Sequence, residues 1–231
     1  KPGSSSDEYG LFFGSVLREN GIDPRQITEI ALCSVVPEAI YSISAACQKY
    51  FEIPPFILQA GVKTGLKIQY RDPLEVGADR IANAIGGINI FPGENLIIVD
   101  LGTATSLCAI GKDHSYKGGV ILPGLKMSMQ ALQSGTSKLG SVEIIRVDHC
   151  LGRTTAASIQ SGLYFGHLGA LREIMHRIRL EVFENQRPKV IATGGFATLY
   201  GGTGLFDQVI QDLVLRGLLA VQELNSERLA V

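Results

Sequence analysis

The stretch Leu96-Ile97-Ile98-Val99-Asp100 constrains the fold more than any other. Its apolar residues are mostly β-branched and too few for a helix, so it reads as a strand buried on both faces. Such a strand needs cover on both sides. It also carries an acidic residue to its end, where Leu101-Gly102-Thr103 forms a turn. Ala104 to Ile110 and Tyr116 to Leu122 read as two further strands, separated by Gly111-Lys112-Asp113-His114 and ended by Pro123-Gly124. A helix with Leu125, Met129 and Leu132 follows, then a weak strand, a long helix from about Thr155 to Phe183, a strand Val190-Ile191-Ala192, and a helix from Leu213 to Leu224.

The first half lacks that opening meander. Ser6 is an expected N-cap for a helix through Tyr9, Leu11, Phe12, Val16 and Leu17, stopped at Gly21. Ile27 to Val36 reads as a buried strand, and Pro37 opens a helix through Ile40, Ile43, Ala46 and Tyr50. Phe56 to Leu58 is a short strand, a polar loop follows, and Gly77 to Ile90 is a third helix. The order helix, strand, helix, strand, helix matches the back part of a unit that should open with three strands. The expectation is that the opening meander lies upstream of Lys1 or is missing.

Bulk properties exclude several classes. The net charge is −1, with 21 basic and 22 acidic residues spread along the chain, so no basic stripe marks a nucleic-acid partner. No apolar run approaches the ~20 residues of a membrane span; the longest, Val209 to Val221, is broken by Asp212 and Arg216. Cys33, Cys47, Cys108 and Cys150 form no metal or redox motif and read as reduced, buried thiols of a cytosolic protein. The four histidines also fall outside metal-ligand spacing.

Five clusters carry chemistry. In Asp100-Leu101-Gly102-Thr103-Ala104-Thr105, Gly102 lets backbone approach phosphate oxygens, the threonines offer hydroxyl donors, and Asp100 can hold a hard cation; a plain hairpin turn is the competing reading. In Tyr70-Arg71-Asp72-Pro73-Leu74-Glu75-Val76-Gly77-Ala78-Asp79-Arg80, Asp79 and Arg80 occupy the first turn of a helix. Arg80 can fork onto a carboxylate and Asp79 can accept a hydroxyl proton, or Asp79 can simply cap the helix while Arg80 pairs with Glu75. The others are Gly118-Gly119-Val120-Ile121-Leu122-Pro123-Gly124, Gly152-Arg153-Thr154-Thr155 running into Ser158-Ile159-Gln160-Ser161-Gly162, and Ala192-Thr193-Gly194-Gly195.

In this order and spacing the clusters VGADR, DLGTAT, GGVILPG, GRTTAASIQSG and ATGG resemble the motif series of the type III pantothenate kinases, over about Ser6 to Asn225. The resemblance implies an α/β protein with a duplicated actin/hexokinase-like (ribonuclease H-like) fold, two units of mixed sheet whose helices flank an ATP cleft. Residues 1–94 would be the first unit, without its opening strands and phosphate loop, and 95–231 the second. It further implies a cytoplasmic homodimer that phosphorylates pantothenate with ATP, using Mg²⁺ and a monovalent cation (K⁺ or NH₄⁺). Asp79 then resembles the general base. Tyr70, Gly77, Ala78 and Arg80 resemble the pantothenate pocket, completed by Thr155 across the dimer interface. Gly102 and Thr103 resemble ATP contacts and Asp100 the cation ligand.

Two departures stand out. The family's Asp-x-Gly-Asn phosphate turn is not in this sequence, and Ser106-Leu107-Cys108 stands where the family often has Thr-Phe-Asp. Two other readings compete. A sugar or acetate kinase would keep DxGT but has no reason to carry VGADR, and a non-catalytic regulator on the same fold could dispense with the first phosphate turn. The long helix carries an apolar stripe (Ile159, Leu163, Leu168, Leu171, Ile174, Ile178) wide enough for a core and a partner subunit, or for one intrachain core with Thr155 as helix cap.

Overall fold

The computed structural model describes residues 3–136 and 139–226. It divides into two compact units, one of Lys1–Gly65, Leu74–Gly86 and Val214–Val231, the other of Leu66–Pro73 and Gly87–Leu213.

The first unit begins with α1 (Ser6–Glu19), capped by Ser5 rather than by Ser6. Both serines could cap, but only Ser5 has a glutamate three residues on. Ser5 Oγ accepts the Glu8 N–H at 3.2 Å and the Glu8 carboxylate accepts the Ser5 N–H at 2.7 Å. Gly21, at φ 75°, ends the helix by donating its N–H to the Arg18 carbonyl at 2.9 Å. Pro37 opens α2 (Pro37–Phe51), and Gly10 of α1 lies hard against the Tyr50 ring.

The expected strand Ile27–Val36 shrinks to β1 (Ala31–Leu32), paired in parallel with β2 (Phe56–Ile57). A 3₁₀ turn at Pro24–Gln26 that Asp23 caps ends just before Ile27, residues 27–30 join no strand, and the end of the expected strand is taken by a turn in which Ser34 Oγ accepts the Val36 N–H at 3.1 Å. β-branched composition signals extended backbone; a partner strand is available only over two residues.

The unit is closed by α3 (Ala78–Ile90) and α6 (Leu213–Ser226). A Cβ on Gly217 of α6 would lie 1.7 Å from the Ala82 carbonyl oxygen of α3, so the two helices cross backbone to backbone.

The second unit is a six-stranded mixed sheet in the order β3-β6-β5-β4-β7-β8. The meander β4 (Leu96–Leu101), β5 (Ala104–Ile110) and β6 (Ser115–Pro123) is antiparallel, while β7 (Lys189–Thr193) and β8 (Gln208–Val209) continue it in parallel on the other side of β4. The two-residue strand β3 (Lys67–Ile68) pairs with β6 inside the stretch expected to be a polar loop. Strands this short, held by one neighbour, leave no periodicity to read.

Helices α4 (Leu125–Ser134) and α5 (Thr155–Val182) cover the sheet. Leu96, Ile97, Ile98 and Val99 are all buried, and Ile97, Val99 and Leu101 pack against Leu163, Leu168 and Leu171 of α5. The α5 stripe is therefore consumed by the chain's own core, with Ile174 packed on its margin, and any dimer contact must use other residues. No strand forms between α4 and α5 among the described residues, so the weak strand expected there is absent. Burial of the cysteines holds for Cys47 and Cys108, but Cys33 is half-buried and Cys150 exposed. No helix among the described residues is long and apolar enough to cross a membrane.

The Gly217 crossing generates a test. Gly217→Ala places a methyl inside the space of the Ala82 carbonyl and should lower stability by about 1–3 kcal/mol, as overpacking does. A urea midpoint equal to that of the unsubstituted protein would show that the helices do not cross this closely.

Candidate functional site

Strand β4 delivers Asp100 to the sheet's end because Leu96–Val99 anchor it in the core. Asp100 is opposite Thr193 of β7 in parallel register and Ser106 of β5 in antiparallel register, so it sits in the middle of the sheet edge. The turn after it is tight: the Gly102 N–H donates to the Ala104 carbonyl at 3.2 Å.

Two glycines from other elements clamp this turn. A Cβ on Gly124, between β6 and α4, would lie 2.3 Å from the Thr103 carbonyl oxygen. On the other side Gly194, at φ 89°, ends β7; a Cβ there would lie 2.5 Å from Asp100 Oδ1 and 2.6 Å from the Leu101 carbonyl carbon. Both the left-handed backbone and the lack of space require glycine at 194. Three motifs that are far apart in sequence, DLGTAT, the Pro123-Gly124 end of GGVILPG and ATGG, thus meet at one point. Gly118 and Gly119 of the third motif lie elsewhere, opposite Ala109 and Cys108 by a β-bulge.

Beside this point is a cavity of about 470 Å³ lined by Gly102, Thr103, Lys126, Gln130, Gly195 and Phe196, among others. That volume lies in the range of small-molecule sites. Its lining combines the backbone and hydroxyl of Gly102 and Thr103 with the positive charge of Lys126. Lys126 and Gln130 are one helical turn apart on α4 and were not singled out from the sequence. The signal available was their position directly after Pro123-Gly124.

Behind the hairpin, the buried Thr105 hydroxyl and His167 Nε2 of α5 share a hydrogen bond of 3.0 Å. Burial lowers the His167 pKa and holds its imidazole neutral. Its ring lies 6.2 Å from that of Tyr200, which in turn stacks on Tyr164 at 5.2 Å. Burial also raises the Tyr200 pKa. His167 too went unread in the sequence, because a lone histidine within an apolar stripe carries no motif.

The second group stands in the first unit. Gly77 caps α3, its carbonyl accepting the Ile81 N–H at 3.1 Å. Ala78, Asp79 and Arg80 form the first turn, and Asp79 Oδ1 accepts the Arg80 backbone N–H at 2.8 Å. A Cβ on Gly77 would lie 2.5 Å from Asp79 Oδ1, so a side chain there would push the carboxylate aside. Cys33 lies close enough to sense Asp79: burial first, then the Asp79 charge, pushes its thiol up to about 11. An uncharged thiol is what a neighbouring carboxylate needs.

The remaining two expected residues are set apart. Tyr70 makes an edge contact with Tyr116, ring centroids 5.8 Å apart, near the start of β6. Pro123 and the hairpin turn are at the other end of that strand, about 20 Å along it. Thr155 is exposed in the first turn of α5, and the helix cap is Thr154, whose Oγ1 accepts the Ala157 N–H at 3.1 Å. Thr155 itself is not the cap.

The family model for type III pantothenate kinase matches residues 1–177. The type III pantothenate kinase of Legionella pneumophila (strain Corby) is 54% identical over 223 residues, covering 96% of this chain and 87% of the relative. Type III pantothenate kinase 1 of Francisella tularensis subsp. holarctica (strain OSU18) is 45% identical over 221 residues, covering 96% of this chain and 86% of its own. A solved structure described as a Baf family transcriptional activator from Campylobacter jejuni has the same fold at 18% identity, with a TM-score of 0.58 over 87% of this chain and 85% of that one.

The buried His167 makes a prediction about pH. Its folded pKa is depressed, so the unfolded chain binds the extra proton first as pH falls. Its contribution should be complete above the unfolded value of ~6.5 and lost as pH drops toward the lower folded value. The stability of His167→Gln should therefore fall less than that of the unsubstituted protein between pH 7.5 and 5. Parallel urea midpoints across that range would show that His167 does not titrate on unfolding.

Proposed function

The chain belongs to the type III pantothenate kinase family, and from that premise we propose that it transfers the γ-phosphoryl group of ATP to the primary hydroxyl of pantothenate, the first step of coenzyme A biosynthesis, as a cytoplasmic homodimer. The observation that carries this reading is the clamped Asp100–Thr103 turn beside a cavity that Lys126 also lines.

Phosphoryl transfer asks the protein for position and charge neutralisation more than for covalent help. In this reading Asp79 accepts the proton of the pantothenate hydroxyl as its oxygen bonds to the γ-phosphorus and the bond to the β–γ bridging oxygen breaks, leaving ADP. Arg80 pairs with the pantothenate carboxylate, and Gly77, Ala78 and Tyr70 shape its pocket. Thr155 completes the pocket of the partner subunit, which suits its exposure. Gly102 and Thr103 receive the phosphates through close backbone and a hydroxyl, and Lys126 adds a cation there.

Asp100 would hold the monovalent cation through its carboxylate oxygens, and a side chain at 194 would crowd its Oδ1. Mg²⁺ bound with the nucleotide would offset phosphate charge. A non-catalytic role is the competing reading, and one assay decides between them.

Full-length protein should phosphorylate pantothenate in a coupled ADP-release assay, faster in K⁺ or NH₄⁺ than in Na⁺ alone. Asp79→Asn should lower kcat by ~10²-fold or more with the fold retained. Absent turnover in the unsubstituted protein would sink the kinase reading, and near-normal turnover of Asp79→Asn would remove Asp79 as the base.

The shared pocket has its own test. Asp79→Asn and Thr155→Arg subunits, each inactive alone, should recover about a quarter of full activity after random exchange, because one site of each mixed dimer carries neither change. No recovery after verified exchange would confine the site to one subunit.

A further inference from the structure

At the opposite end of the second unit's sheet is another cavity, of about 410 Å³. It is reached from the start of β7 rather than its end, the length of the strand (about 13 Å) away from Gly194. Four basic side chains line it: Arg172, His176 and Arg179 of α5, and Arg187 of the loop before β7. The three on α5 are spaced i, i+4, i+7, which puts them on one helix face.

The acidic complement is one residue, Asp207, and it is already engaged. Its carboxylate accepts the Val190 N–H at 2.8 Å and the Arg187 guanidinium at 3.1 Å. Three arginines and a histidine therefore share the lining with one carboxylate, which already accepts two hydrogen bonds. Arg179 Nε is buried and has no hydrogen-bond partner, although buried donors are nearly always satisfied. The rest of the wall is apolar, with Met175 and Leu205 prominent.

We propose that this cavity is a second binding site, taking a phosphate-bearing small molecule with a compact apolar portion. Arg172 and Arg187 are exposed residues of the lining, and their guanidinium groups are planar forks that match phosphate oxygens. The volume exceeds what a bare phosphate needs, and the apolar wall has a use only if the ligand carries apolar surface into it. No residue of the site belongs to the reaction machinery described above.

Calorimetric titration of the full chain at fixed ionic strength tests this, with phenyl phosphate and inorganic phosphate as probes. Phenyl phosphate should bind saturably and at least threefold more tightly than inorganic phosphate. Arg172→Gln and Arg187→Gln, both of exposed side chains, should each weaken it tenfold or more with unchanged circular dichroism. Lys126→Gln, in the other cavity, should leave this binding intact. Absence of a saturable event overturns the proposal, as does equal affinity in the arginine variants or loss confined to Lys126→Gln. Equal affinity for the two probes would overturn the apolar portion.

Discussion

The hairpin part of the candidate site depends on how closely Gly194 approaches Asp100. Strand β4 is paired on both edges, antiparallel to β5 and parallel to β7, so its end is fixed from two directions. Parallel pairing brings the end of β7 level with the end of β4, and the two chains would collide there if residue 194 had a side chain. Glycine removes the collision and accepts the positive φ that turns the chain away. The Phe196 N–H then donates to the Leu101 carbonyl at 3.1 Å, tying the turn after β7 to the turn after β4. The part of the cavity wall given by Leu101–Thr103 and Gly195 is thus held by a buried sheet, while Lys126 and Gln130 of α4 line another part. Side chains on loose loops would hold a ligand less exactly in place.

That rigidity has a second support. Thr105 pairs with Leu101 across the hairpin and is itself bonded to His167 from α5. A neutral imidazole is the form suited to a site buried among Tyr164, Tyr200 and the α5 core residues, where a charged ring would be costly. The helix that supplies the largest apolar face to the sheet therefore also carries the polar group that fixes the hairpin.

Much of the second unit was legible in the sequence, and the reason is burial. Leu96–Val99 and the α5 stripe are long and one-sided enough to show their periods, and the three-strand meander followed by helices was read with its strands in place. The first unit was harder. Ile27–Val36 has the composition of a strand, but strand length is decided by the partner, which no local pattern reveals. The N-cap slipped by one residue because two serines compete, although the Ser5…Glu8 spacing held the answer. At the site, glycine motifs gave Asp100, Gly102 and Gly194, since glycine is needed where backbones meet. Lys126 and His167 act from helices whose patterns describe packing, so chemistry added on such a helix stays invisible until the fold brings it to the hairpin.

The fourth motif, GRTTAASIQSG, is explained by the same logic of close backbone. A Cβ on Gly152 would lie 2.4 Å from the Ser158 nitrogen, so the loop before α5 folds directly onto the helix's first turns. Ser161 donates to the Cys150 carbonyl, and Gln160 Nε2 donates to the Glu143 carbonyl at 3.1 Å. Thr154 takes the capping bond, and Thr155 beside it is exposed. The result is an exposed hydroxyl on a helix start that the loop holds still. Meanwhile the apolar face of the same helix is fully committed to its own sheet. If Thr155 serves a neighbouring subunit, it does so as a polar tip presented by a rigid rod, and the contact that brings the subunits together has to be built from other surface.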